Sequence, residues 1–193
     1  MNLESKVLED RFVRLEPMAE THKAGLREAC DSDPDTWNRL YPFSMVGDHF
    51  DPAWDRMFAA PAPGCLNFAV MDGGACRGMT CYLGIDPANR ILEIGATYYH
   101  PALRGGPVNP AAKRLLLAHA FASGARRVQF KVDAINARSR AAVLKLGAVQ
   151  EGILRQDRLT WTGRIRDTVI FSVLDSEWPA VRARLDERLA AFG

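Results

Sequence analysis

Two short stretches carry residue types and spacings suited to holding an anion beside a proton donor. The first reads Arg104-Gly105-Gly106-Pro107-Val108-Asn109-Pro110. Asn109 is a good N-cap and Pro110 suits a first helical position, which predicts a helix from Pro110 to about Ser123. Such a helix mouth offers unpaired N–H groups and roughly half a unit of positive charge. Gly105 and Gly106 let backbone approach a ligand closely, and Arg104 adds fixed charge with bidentate donors. The pattern fits a pyrophosphate cradle; it equally fits a plain β–α turn with a capped helix. The second stretch, Asn136-Ala137-Arg138-Ser139, opens another helix. Asn136 caps it, and Ser139 shares its face, where a hydroxyl can give a proton to a departing thiolate. Glu93, within an apolar strand, is the first candidate for a general base; its other reading is a structural carboxylate paired with Arg166. Strand alternation places Gly95, Thr97 and Tyr99 on the same face as Glu93.

These residues need a framework to position them. Phe12–Pro17 reads as a strand stopped by proline, and Glu20–Cys30 as a helix. An Asp- and Pro-rich loop carrying Trp37, Tyr41 and Phe43 follows, either a lid or satellite core. Asp51-Pro52 signals a short second helix. Leu66–Met71 and Gly78–Ile85 form a hairpin around Asp72-Gly73-Gly74, and Ile91–Tyr99 is the next, central strand. Connections this short make the run antiparallel. Val128–Val132, reached through a helix, should lie parallel to Ile91–Tyr99. Asn136–Leu146 is helical and ends at Gly147; strands near Val149–Leu159 and Thr168–Leu174 precede a C-terminal helix from Ser176. The expectation is one α/β domain over residues 1–193.

Composition bounds the rest. Hydrophobic residues make up 48% and charged residues 25% of 193 residues, an ordinary globular balance with a full core. A net charge of +2 gives no case for nucleic acid, and no apolar run is long enough to span a bilayer. The N-terminus is polar and charged, so a cytoplasmic protein is expected. Cys30, Cys65, Cys76 and Cys81, like the histidines, show no metal-ligand spacing. Arg126, Arg127, Lys131, Arg138, Arg140 and Lys145 crowd the third quarter, as suits a polyanionic small ligand or merely a solvated face.

The element order, the strand–RGGPVN–helix passage, NARS, KLGAVQEGILR and GRIRDTVIFSVLDSEWP together resemble the GNAT superfamily of N-acetyltransferases, from about Phe12 to Trp178. More narrowly they resemble the branch containing bacterial ribosomal-protein N-terminal acetyltransferases. The resemblance implies a mixed, mostly antiparallel, seven-stranded sheet with a splayed parallel pair and helices on both faces. It implies acetyl-CoA or coenzyme A as co-substrate, no metal, and a small-molecule or peptide amine as acceptor, with a homodimer common in the branch. Tyr98, Tyr99 and His100 would meet the pantetheine arm, and Arg104, Gly105, Gly106, Val108 and Asn109 the pyrophosphate. Asn136 would bind pantetheine, Ser139 would be the acid, and Arg140 and Lys145 would meet the adenosine end. One departure stands out: Pro107 occupies a position where the family pattern has glycine, and proline has no N–H to give a phosphate. That leaves a non-catalytic CoA-binding module of the same fold as the alternative.

Overall fold

A computed structural model describes residues 1–192. Eight strands form one sheet in the order β1-β2-β3-β4-β5-β6-β8-β7. They are β1 Leu8–Glu9, β2 Arg14–Pro17, β3 Leu66–Asp72, β4 Ala75–Asp86, β5 Ile91–Tyr99, β6 Arg127–Asp133, β7 Val149–Leu159 and β8 Ile165–Leu174. Seven of these were expected; the eighth, β1, is two residues long and pairs only with β2, too short to leave a period in the sequence. All neighbours are antiparallel except β5 and β6.

The helices are α1 Lys23–Asp31, α2 Pro34–Leu40, α3 Phe50–Trp54, α4 Val108–Ala122, α5 Ala137–Leu146 and α6 Trp178–Ala190. They divide between two cores. Leu26, Ala29, Trp37, Phe50 and Trp54 pack with Ala69, Met79 and Tyr98 on one sheet face. Ala112, Leu116, Leu117, Leu185 and Leu189 pack with Tyr82, Leu92, Ile94 and Tyr99 on the other. Burial of these apolar faces, at about 25 cal/mol per Å², is the main force closing the layers.

Three local expectations are corrected. The stretch read as a loop around Trp37 is the helix α2, capped by Asp33, whose carboxylate accepts the Thr36 N–H at 3.3 Å, with Pro34 in its first turn. Asp51 does not cap α3, which begins one residue earlier at Phe50; its carboxylate instead pairs with Arg27 at 2.6 Å and Lys23 at 3.3 Å. Helix α4 begins at Val108, with Pro107 as N-cap, so Asn109 is not the cap. The Pro107 carbonyl accepts the Ala111 N–H at 3.0 Å, which starts the helix two residues earlier than Asn109 alone suggests.

Candidate active site

The parallel contact between β5 and β6 lasts only from Ile91 to Glu93 against Arg127 to Gln129. Beyond it β6 stays on β8 through Asp133, while β5 stays on β4 through Tyr99. The two strands therefore part, and a cleft of about 660 Å³ opens between them. Ala96 lies at the fork with φ of 46°, a conformation few residues with a side chain adopt. Across it, Cys81 faces Gly95 and Met79 faces Tyr98, so β5 carries an extra residue, a bulge. The bulge reverses the alternation. Leu92, Ile94 and Tyr99 belong to the core under α4, whereas Tyr98 belongs to the core under α1 and α2. Thr97 also turns toward α4, so Thr97 and Tyr99 do not share the face of Glu93, contrary to strict alternation.

Helix α4 aims its N-terminus at this cleft. Among the described residues, the N–H groups of Gly105, Gly106, Val108 and Asn109 donate to no protein acceptor. Gly105 has φ of 82°, and a Cβ at Gly105 or Gly106 would meet nothing within 4 Å, so space stands open over the loop. Tyr99 lines the same cleft, but its hydroxyl is buried without a partner, and burial pushes its pKa up. Arg104 borders the cleft but is already engaged: Nε donates to the Tyr99 carbonyl at 2.9 Å, and Nη1 to Asp33. Burial works against the Asp33 carboxylate, but hydrogen bonds from Thr36 and Arg104 outweigh it and hold its pKa low. Arg104 thus ties α2 to the loop and lends charge from behind.

Opposite stands α5. Asn136 caps it, its Oδ1 accepting the Ser139 N–H at 3.0 Å, and Gly147 ends it in the left-handed conformation. Ser139 reaches the cleft, as do Glu93, Tyr98, Tyr99, Arg104, Gly105, Gly106, Asn109, Asn136 and Lys145. Two expected residues take other places. His100 turns to accept the Ala102 N–H at 3.2 Å, and Arg140 donates to the Ala134 carbonyl at 3.1 Å. Val108 packs its side chain on the core and offers only its N–H.

Glu93 pairs with Lys131 at 3.1 Å rather than with Arg166. Arg166 is buried and faces Asp133 at 3.9 Å, with Nε on the Thr168 hydroxyl at 3.0 Å. Trp37 is core, while Tyr41 and Phe43 are partly buried around it and border the cleft; the Tyr41 hydroxyl donates to the Thr97 carbonyl. Sequence reasoning missed Lys113, which is buried and lines the cleft. Its signal was readable: it shares a helical stripe with Leu116, Leu117 and Ala120, where a charge is out of place.

A split sheet with a helix mouth at the fork defines an acyltransferase-type α/β architecture. The family model for the acetyltransferase (GNAT) domain matches residues 13–149, and the chain belongs to that family. A T. thermophilus protein described as an acetyltransferase is 37% identical, with 98% of this chain and 100% of that chain covered and a TM-score of 0.88. A GCN5-related N-acetyltransferase from Brucella melitensis is 35% identical, covering 96% and 86% at a TM-score of 0.87. RimJ from Mycobacterium smegmatis, solved with CoA-disulfide, shares the fold at 22% identity, covering 91% and 88% at 0.79. No curated protein matches the chain.

Proposed function

We propose that the protein transfers an acetyl group from acetyl-CoA to a primary amine by direct attack within a ternary complex. The observation that carries this is the set of four unpaired N–H groups at the α4 mouth, opening on a cleft that Tyr99 and Ser139 also line. Unpaired donors at a helix start suit a diphosphate. Pro107 removes one donor from the loop, but its carbonyl starts the helix and four donors remain. Past Glu93, among the described residues, no strand pairs with β5 on its β6 side, although the Thr97 and Tyr99 carbonyls accept from Tyr41 and Arg104; such an edge suits a pantetheine amide, and the fold neighbour from M. smegmatis holds CoA-disulfide. The co-substrate supplies an activated acyl group on sulfur.

The chain's part is to orient and to manage protons. Glu93 accepts the amine's proton directly or through water, with Lys131 holding its carboxylate in place at 3.1 Å. Ser139 Oγ donates to the leaving sulfur. Ribosomal-protein N-termini are acceptors to test first, beside free amino acids, polyamines and aminoglycosides. The experiment follows free-thiol release from acetyl-CoA over that amine panel, with CoA binding measured in parallel. Release that depends on one amine class supports the reading. Tight binding with no release across the panel would make the chain a CoA-binding module instead, and absence of binding would remove both.

A further inference from the structure

The acyl-transfer chemistry just described leaves Lys113 without a role, yet it is an unusual group. Its residue is 5% exposed, and no carboxylate pairs with it among the described residues. Nζ reaches the Thr97 hydroxyl at 2.6 Å and the Thr80 hydroxyl at 3.3 Å, and these two oxygens lie 2.8 Å apart. Helical side chains lean toward the N-terminus, so Lys113 extends from the second turn of α4 toward Thr97 of β5, and it lines the cleft on which the α4 mouth opens. An ammonium is costly in such a place unless an anion arrives. Burial accordingly brings the Lys113 pKa down to about 7.

The surroundings contain little else that titrates near neutrality. From β4 come Thr80 and Cys81, and burial pushes the Cys81 thiol up to about 12. From β5 come Thr97 and Tyr99, whose phenol is pushed up. Further along α4, burial moves the His119 imidazole down from its ordinary value. Across the cleft stand Ser139 and Lys145 of α5, with Arg104 behind the loop, held by Asp33. The one carboxylate of β5, Glu93, lies on the opposite strand face with Lys131.

We propose that Lys113 is a switchable cation of the cofactor site, which holds its proton weakly in the free protein and more firmly when an anionic ligand of the coenzyme A class fills the cleft. The inference rests on the CoA reading above. Binding and protonation are linked reciprocally: a ligand that raises the affinity of Lys113 for a proton is itself bound more tightly where that proton is available. If the ligand raises the Lys113 pKa by about one unit, CoA affinity falls about tenfold from roughly pH 6 to pH 9. The device gives the site more positive charge when a negative ligand is there to use it, and less of an uncompensated buried ammonium at other times.

The test labels lysine Cε with carbon-13 and follows its NMR signal against pH with and without CoA, Lys113→Met identifying the resonance. We expect a midpoint near neutrality in the free protein that moves up by about one unit with CoA. In parallel, CoA affinity is measured at both pH extremes. The wild type should lose about tenfold more than Lys113→Met, because the ligand's own titration is common to both and cancels. A free-state midpoint near the ordinary lysine value overturns the proposal, as does a midpoint that CoA leaves unmoved while amides of Gly105 and Gly106 shift. If CoA shifts no amide of the loop, the cofactor reading falls, and this inference falls with it.

Discussion

Replacing Lys113 by Met should stabilise the free protein near neutral pH, and the gain should fade as pH rises. The lysine is buried with its pKa lowered from 10.5 to about 7, while in the unfolded chain it keeps its ordinary value. Between these two values the unfolded chain binds one proton more than the folded one, so native stability rises with pH by about 1.4 kcal/mol per unit. Below pH 7 both states are protonated and the whole penalty, on the order of 4–5 kcal/mol, stands. Methionine carries no such penalty. It forfeits the hydrogen bonds of Nζ, worth about 1–2 kcal/mol, although Thr80 and Thr97 still bond each other. The variant should therefore lead the wild type by about 3 kcal/mol at pH 7 and fall level or behind above pH 10. Urea unfolding at several pH values, with variant minus wild type as the quantity compared, cancels every other titrating group. A difference that stays constant from pH 7 to 10 would refute the claim that Lys113 is buried neutral.

Gly78→Ala puts a Cβ 2.3 Å from the Tyr98 carbonyl oxygen, backbone against backbone between β4 and β5; a loss of about 2–3 kcal/mol in urea is expected. Asp33→Asn keeps the cap of α2 but removes the charge that holds Arg104, two side chains at 16% and 21% exposure; unfolding should show a loss of about 1–2 kcal/mol. Ser139→Ala should lower the rate of thiol release about a hundredfold while CoA affinity changes less than about twofold, and an unchanged rate would take Ser139 out of the chemistry. Pro107→Gly should tighten CoA about threefold if the missing N–H matters, as calorimetry would show.

The elements that locate the cleft were legible because they follow from periodicity and punctuation. The β5–α4–β6 crossover, the Asn136 cap and the Gly147 stop are local signals, and each stands where it was expected. Helix α2 was missed although Asp33-Pro34 has the same signature as Asp51-Pro52; aromatic density and neighbouring prolines masked a helix of seven residues. The partners of charged groups were not legible at all. Glu93 chooses Lys131 over Arg166 because parallel register sets β6 beside it, whereas Arg166 of β8 lies one strand further and faces Asp133. Because β5 and β6 are joined through α4 and not by a hairpin turn, no turn type fixes their register, and the partner of Glu93 could not be read from spacing.

The bulge at Ala96 is the point on which the site's layout turns. Without it, alternation would put Glu93, Gly95, Thr97 and Tyr99 on one face, and a proton acceptor, the Lys113 contact and the buried Tyr99 hydroxyl would compete for the same space. With the extra residue, Glu93 keeps the side shared with Lys131, while Thr97 and Tyr99 face α4. One strand thereby serves two compartments. The kink follows three residues after the last pair of β5 with β6, at Glu93, where the two strands have already parted. The positive φ of Ala96 costs on the order of 1 kcal/mol, and the packing of Tyr98 and Tyr99 into opposite cores is what holds the backbone there. Substituting glycine at position 96 should relieve that cost and raise stability, since glycine adopts this conformation freely. A destabilised Ala96→Gly variant would show instead that the methyl group, packed against the α1–α2 core, outweighs the backbone term.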